Sequence, residues 1–130
     1  MLGRRKMDPR GRQVALFLAA DRLALGVRVL LATRPALKAM AFGEPGPAGV
    51  ALAKFGGGRD LALGLLTLAA RDDREMLRTL LVAGVALDSA DAFSLGLAAR
   101  RPETRAAGIG GVVAGSAAAL VGLWSWRRLG

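Results

Sequence analysis

Seven charged residues sit where an apolar chain least tolerates charge. Asp21, Arg22 and Arg28 interrupt one long apolar stretch, Arg59 and Asp60 a second, and Asp88 with Asp91 a third. Carboxylates and guanidiniums in apolar surroundings can pair into a polar core that fixes helix register, or they can line a path for protons or a small polar solute. Helical spacing offers each stretch one polar stripe: Asp21 with Arg28, then Asp60, Gly64 and Thr67, then Asp88, Asp91 and Leu95. The set holds three arginines and four aspartates, so pairing nearly cancels the charge and leaves one carboxylate over.

Other chemistry is excluded by absence. The chain has neither histidine nor cysteine, which removes disulfides, thiolate nucleophiles, the usual zinc sites and every triad with an imidazole base. No catalytic residue, metal-ligand set or cofactor site is therefore identified, and a non-enzymatic structural or interaction component is expected. The alternative is a small-solute or proton-linked transporter using Asp60, Asp88 and Arg59.

The elements that must position these charges follow from composition. In 130 residues the hydrophobic content is 53%, aromatics are 5% and mean hydropathy is +0.39, too apolar for the surface of an ordinary small soluble domain. The net charge of +9 is scattered in short clusters between apolar runs and not gathered on one face, which argues against a nucleic-acid partner and for lipid headgroups. An all-α, four-helix transmembrane bundle is expected, with spans at about 14–32, 50–70, 76–99 and 106–126. The last of these is uncharged from Ala106 to Trp126, long enough at about 1.5 Å per residue to cross a ~30 Å hydrocarbon core. Trp124 and Trp126 followed by Arg127 and Arg128 suit its exit through an interface. Pro35 opens a short run, Ala36 to Phe42, that reads as an interfacial helix ahead of the turn-rich Gly43-Glu44-Pro45-Gly46-Pro47.

Residues 1–13 read as a basic cytoplasmic segment and 14–130 as a single four-span domain. With that start inside, the inner segments hold ten lysines and arginines, including Arg4, Arg5, Arg71 and Arg74, against six outside. Both termini are then expected on the cytoplasmic side of a membrane. A cleaved signal peptide ending near Ala39-Met40-Ala41 competes, but Asp21, Arg22 and Arg28 break its apolar region.

Small residues complete the pattern. Ala107, Gly111, Gly115 and Ala119 recur every fourth position and make a flat groove for a neighbouring helix, from this chain or from a second copy in a homodimer. Gly56, Gly57 and Gly58 before Arg59 lack the Lys-Ser or Lys-Thr of a phosphate loop, and close helix packing is their better role. Leu23-Ala24-Leu25-Gly26 recurs as Leu61-Ala62-Leu63-Gly64, each preceded by one arginine and one aspartate in opposite order, a sign of duplication.

At Asp21-Arg22-Leu23-Ala24-Leu25-Gly26, Gly57-Gly58-Arg59-Asp60-Leu61-Ala62-Leu63-Gly64 and Asp88-Ser89-Ala90-Asp91-Ala92, the chain resembles uncharacterised four-helix integral membrane proteins of GC-rich bacteria and, more remotely, DoxX-like proteins. The resemblance implies a four-helix bundle in the bacterial plasma membrane, with membrane lipids and a homodimer or membrane-protein partner, and transfers no activity.

Overall fold

Helix boundaries are written in local residues. Asp8 accepts a hydrogen bond from the Gly11 amide at 3.1 Å and Pro9 takes the first helical position, so a chain end with orphan donors becomes a capped start. Asp73 does the same for Met76 at 3.0 Å, with Glu75 favourably placed in that first turn. Pro47 begins another helix after extended Gly46.

In the computed structural model, which describes residues 6–130, these signals delimit α1 (Pro9–Leu31), α2 (Thr33–Ala39), α3 (Pro47–Ala69), α4 (Arg74–Ala98) and α5 (Arg105–Leu129), with a 3₁₀ turn at Pro102–Thr104 before α5. Ala32 leaves the helical region and separates α1 from α2. The short helix begins at Thr33 and contains Pro35, whereas the sequence reading starts it after that proline. Proline is tolerated there because its missing N–H would have had no partner in a first turn. Two left-handed positions, Ala41 at φ 67° and Gly43 at φ 72°, then swing the chain toward α3. At alanine this costs about 1 kcal/mol, at glycine essentially nothing.

The long helices pack chiefly as two antiparallel pairs, α1 with α3 and α4 with α5, and α1 also crosses α5. Their shared apolar core lies toward one end: Ala15, Leu77, Leu81 and Leu129 are buried, with Met7, Leu18 and Trp126 against them. Polar ties close the same end. The buried Ser125 hydroxyl donates to the Gly11 carbonyl at 2.6 Å, and Arg74 donates to the carbonyls of Leu129 and Gly130 at 2.6 and 2.5 Å. Arg78 stacks 4.6 Å above the Trp126 ring.

The four-helix transmembrane bundle expected from the sequence does not stand. Among the described residues five α-helices are present, and two segments are long and apolar enough to cross a membrane, Arg74–Ala98 and Pro102–Leu129. The other two long helices fail on charge. α1 carries Arg10, Arg12, Asp21, Arg22 and Arg28, and α3 carries Lys54, Arg59 and Asp60, each costing about 2.5 to 3.5 kcal/mol at the centre of a bilayer. The multi-pass plasma-membrane placement with cytoplasmic termini is corrected with it. Little of either qualifying segment is buried within the chain, and a network of salt bridges joins charged residues of α1, α3 and α4. Arg4 and Arg5 of the expected basic segment lie outside the described residues.

Glycine sets the closest approaches. A Cβ on Gly115 would fall 2.9 Å from the Asp88 carbonyl oxygen, whereas one on Gly110 would meet open space. Gly115→Leu is expected to destabilise the fold by about 1 to 3 kcal/mol and Gly110→Ala to change it little, measured as denaturation midpoints.

Candidate functional site

Three helices deliver one chain of alternating charge. α1 supplies Arg22, α3 supplies Arg59 and Asp60, and α4 supplies Asp88 and Asp91. Arg22 is the bridge: its Nη1 donates to Asp60 Oδ1 at 3.1 Å, its Nη2 to Asp88 Oδ2 at 2.6 Å, and the same Nη2 reaches the Gly84 carbonyl at 3.5 Å. Arg59 grips Asp91 with both terminal nitrogens, at 3.1 and 2.6 Å, and also touches Asp60 Oδ1 at 3.4 Å. The order is thus Asp88, Arg22, Asp60, Arg59, Asp91. The side chains of Arg22, Asp60 and Asp88 are 13%, 11% and 11% exposed, so their ion pairs are shielded far better than surface ones.

Small residues make room for this. A Cβ at Gly84 would lie 3.1 Å from Arg22 Nη2, so glycine there lets the guanidinium lie against α4. A Cβ at Gly26 would lie 2.7 Å from the Gly57 carbonyl oxygen, and one at Gly64 would lie 2.9 Å from that of Ala19, which brings α1 and α3 into backbone contact on either side of the Arg22–Asp60 pair. Gly57 is the member of the triple glycine at this interface, while Gly56 and Gly58 face open space.

The α1–α3 contact is also reciprocal. Arg22 and Asp60 are 38 residues apart, as are the two copies of the Leu-Ala-Leu-Gly string. Gly26 of the first copy packs on Leu61 of the second, and Gly64 of the second packs on Leu23 of the first. Equivalent residues exchange equivalent contacts, as across a two-fold axis, and the charged pair occupies equivalent positions.

Two members of the sequence-derived set stay out of the network. Asp21 and Arg28 are exposed and form no ion pair among the described residues, though Asp21 lines the adjoining cleft. Gly111 packs on the Leu95 side chain and Gly115 on Ala92 and the Asp88 backbone, so α4 fills this part of the α5 groove; Ala119 is half-buried. Gly84 escaped the sequence reading because a lone glycine inside an apolar helix carries no distinguishing pattern. Gly26 and Gly64 were visible through the repeat.

The cleft has a volume of about 580 Å³, and Arg22, Asp60, Asp88 and Asp91 contribute to its lining together with apolar residues of α1 and α5. No group of three or more metal-ligating side chains occurs among the described residues. The hydrogen bond from Arg59 to Asp91, working against burial, holds the guanidinium more firmly protonated than a free arginine. The Arg59 Nε is buried without a partner, a local cost of about 1 to 3 kcal/mol that the network tolerates.

Away from the site, the loop residue Glu44 pairs with Lys38 and lies 3.9 Å from Arg34; the Lys38 hydrogen bond and charge hold its carboxyl below the ordinary range. A depressed pKa means the pairing is complete above the unfolded-chain value and is lost as pH falls through the folded value.

No protein-family model matches the chain, and no curated protein or solved structure shows significant similarity to it. The resemblance to four-helix bacterial membrane proteins and DoxX-like proteins is accordingly withdrawn. The strings that carried it are largely the chain's likeness to itself, the repeated Leu-Ala-Leu-Gly faces of α1 and α3.

Two outcomes are expected. Arg22→Met, which strands Asp60 and Asp88, should destabilise the fold by about 3 to 5 kcal/mol, and adding Asp60→Leu and Asp88→Leu should recover most of the loss in denaturant titration. By NMR titration, Glu44 should ionise below the usual carboxylate range, and Lys38→Gln should move it back up.

Proposed function

We propose that the chain is a non-enzymatic structural or interaction component whose partner is lipid, met by the outer faces of α4 and α5. One observation carries this reading: large apolar side chains are exposed on every long helix while charges pair inside. Phe17 of α1, Phe55 of α3 and Phe93 of α4 are 71%, 77% and 71% exposed, and Ile109, Val113, Leu120 and Trp124 are exposed along α5. A protein partner covers a patch, and a folded monomer rarely leaves apolar surface uncovered on several sides. Acyl chains, being fluid, cover the outer faces of α4 and α5, the two segments long and apolar enough to meet them along their length.

Trp124 beside Arg128, 5.2 Å from ring centre to guanidinium, gives the end of α5 an apolar body with a cationic rim. The net charge of +9 favours anionic headgroups.

A second reading, handling of a small polar solute through Asp60, Asp88 and Arg59, draws support from the cleft that Asp60 and Asp88 help to line.

Density-gradient flotation tests the lipid reading. Purified full-length chain mixed with vesicles of phosphatidylcholine and phosphatidylglycerol should float with them and stay afloat in high salt, since apolar contact is not screened. Recovery in the dense fraction as a detergent-free monomer would overturn the proposal. A discrete detergent-free dimer would overturn it too, in favour of a second copy as the covering surface.

A further inference from the structure

The ionic network does not fill the space around it. Beside it opens the cleft of about 580 Å³, within the range of small-molecule sites. Leu18 and Leu25 of α1 and Leu95 of α4 give apolar lining, Gly110 and Ala114 of α5 a flat one, and Phe42 lines it from the stretch after α2. Asp21, Asp60, Asp88 and Asp91 place carboxylates on it.

The charge account has a sign. Four carboxylates line the cleft, against Arg22 in the lining and Arg59 paired to two of them, so acid exceeds base by two. Both terminal nitrogens of Arg22 and both of Arg59 already donate to aspartates, so an incoming anion has to compete with carboxylates for them. Asp21, by contrast, lines the cleft with no ion pair among the described residues. An apolar cleft with unbalanced negative charge selects a cation that carries its own apolar body, and Phe42 in the lining adds an aromatic side chain, a group that attracts such a charge.

We propose that this cleft binds a small organic cation, an ammonium or phosphonium centre on an apolar body, with Asp21 as its principal counter-charge. The site goes beyond the structural and lipid-contact reading and does not depend on it. The network residues shape the cleft and set its potential; of the four cleft carboxylates, Asp21 is the one with no ion pair among the described residues.

The test uses two probes of matched shape and opposite charge, tetraphenylphosphonium and tetraphenylborate, in equilibrium dialysis against the full chain in maltoside micelles, with protein-free micelles subtracted. The phosphonium should bind saturably at one per chain and the borate should not. Asp21→Asn, at an exposed residue outside the network, should weaken phosphonium binding about tenfold, equivalent to ~1.4 kcal/mol. Gly110→Trp, at a cleft-lining glycine where an added Cβ meets nothing within 4 Å, should abolish binding while leaving the thermal midpoint in place. Borate binding equal to phosphonium binding, or phosphonium binding indifferent to both substitutions, would overturn the proposal by showing partition into apolar surface alone. Flotation with vesicles reads the lipid contact separately, so either result can fail without the other.

Discussion

The structure depends on one guanidinium. Arg22 projects from α1 between α3 and α4 and holds a carboxylate of each, Asp60 at 3.1 Å and Asp88 at 2.6 Å. Because the fork is planar and its two terminal nitrogens point in fixed directions, both carboxylates must sit at set heights and angles. The contact between α3 and α4 is otherwise slight compared with the α1–α3 and α4–α5 pairs, and Arg22, with Arg59 beside it, supplies the polar link across them. The serial arrangement extends the constraint outward, since Asp60 is shared with Arg59, and Arg59 fixes Asp91 one turn along α4.

Such a network is weak evidence of net stability, because removing ions from water costs much of what their attraction returns. Its value lies in selection among alternatives. Leucine, alanine and glycine dominate the facing surfaces of α1 and α3, and helices built from such residues can slide by a turn with little change in apolar contact. Sliding by a turn would separate Arg22 from Asp60 and leave both charges stranded. The energetic gap between the right register and a wrong one is thereby set by electrostatics, while the glycines determine how near the backbones come. Hydrophobic burial dominates elsewhere, in the cluster of Ala15, Leu77, Leu81 and Leu129 toward one end of the molecule.

Some of this was legible in the residues. Asp8-Pro9, Gly46-Pro47 and Asp73 mark helix starts by chemistry that acts within a turn, and such local causes can be read without knowing the fold. The interior charges stood out against apolar surroundings for the same reason. Pairing was not legible, because three arginines and four aspartates admit many combinations and the choice is made by how helices rotate against each other. Asp21 and Arg28 do share a face, yet the face turned toward α3 and α4 is that of Arg22, about 100° around the helix from Asp21. The number of membrane-competent helices was misjudged on the same helices: the apolar stretches Leu23 to Leu31 and Leu61 to Ala70 drew attention from the charges beside them, which exclude α1 and α3 from that class.

The reciprocity of the α1–α3 contact has a consequence for how the chain can change. One surface serves on both sides of the interface, with Gly26 on Leu61 mirrored by Gly64 on Leu23. Within residues 21–26 and 59–64 the departure from sameness is confined to the dipeptide that carries charge, Asp21-Arg22 in one copy and Arg59-Asp60 in the other. Two identical copies would set like charges against each other at the crossing point, arginine facing arginine. Inverting the order of two adjacent residues in one copy converts that repulsion into the Arg22–Asp60 attachment and makes the two helices distinguishable, so a pairing that sameness alone would leave open to any two copies becomes committed to one partner within the chain.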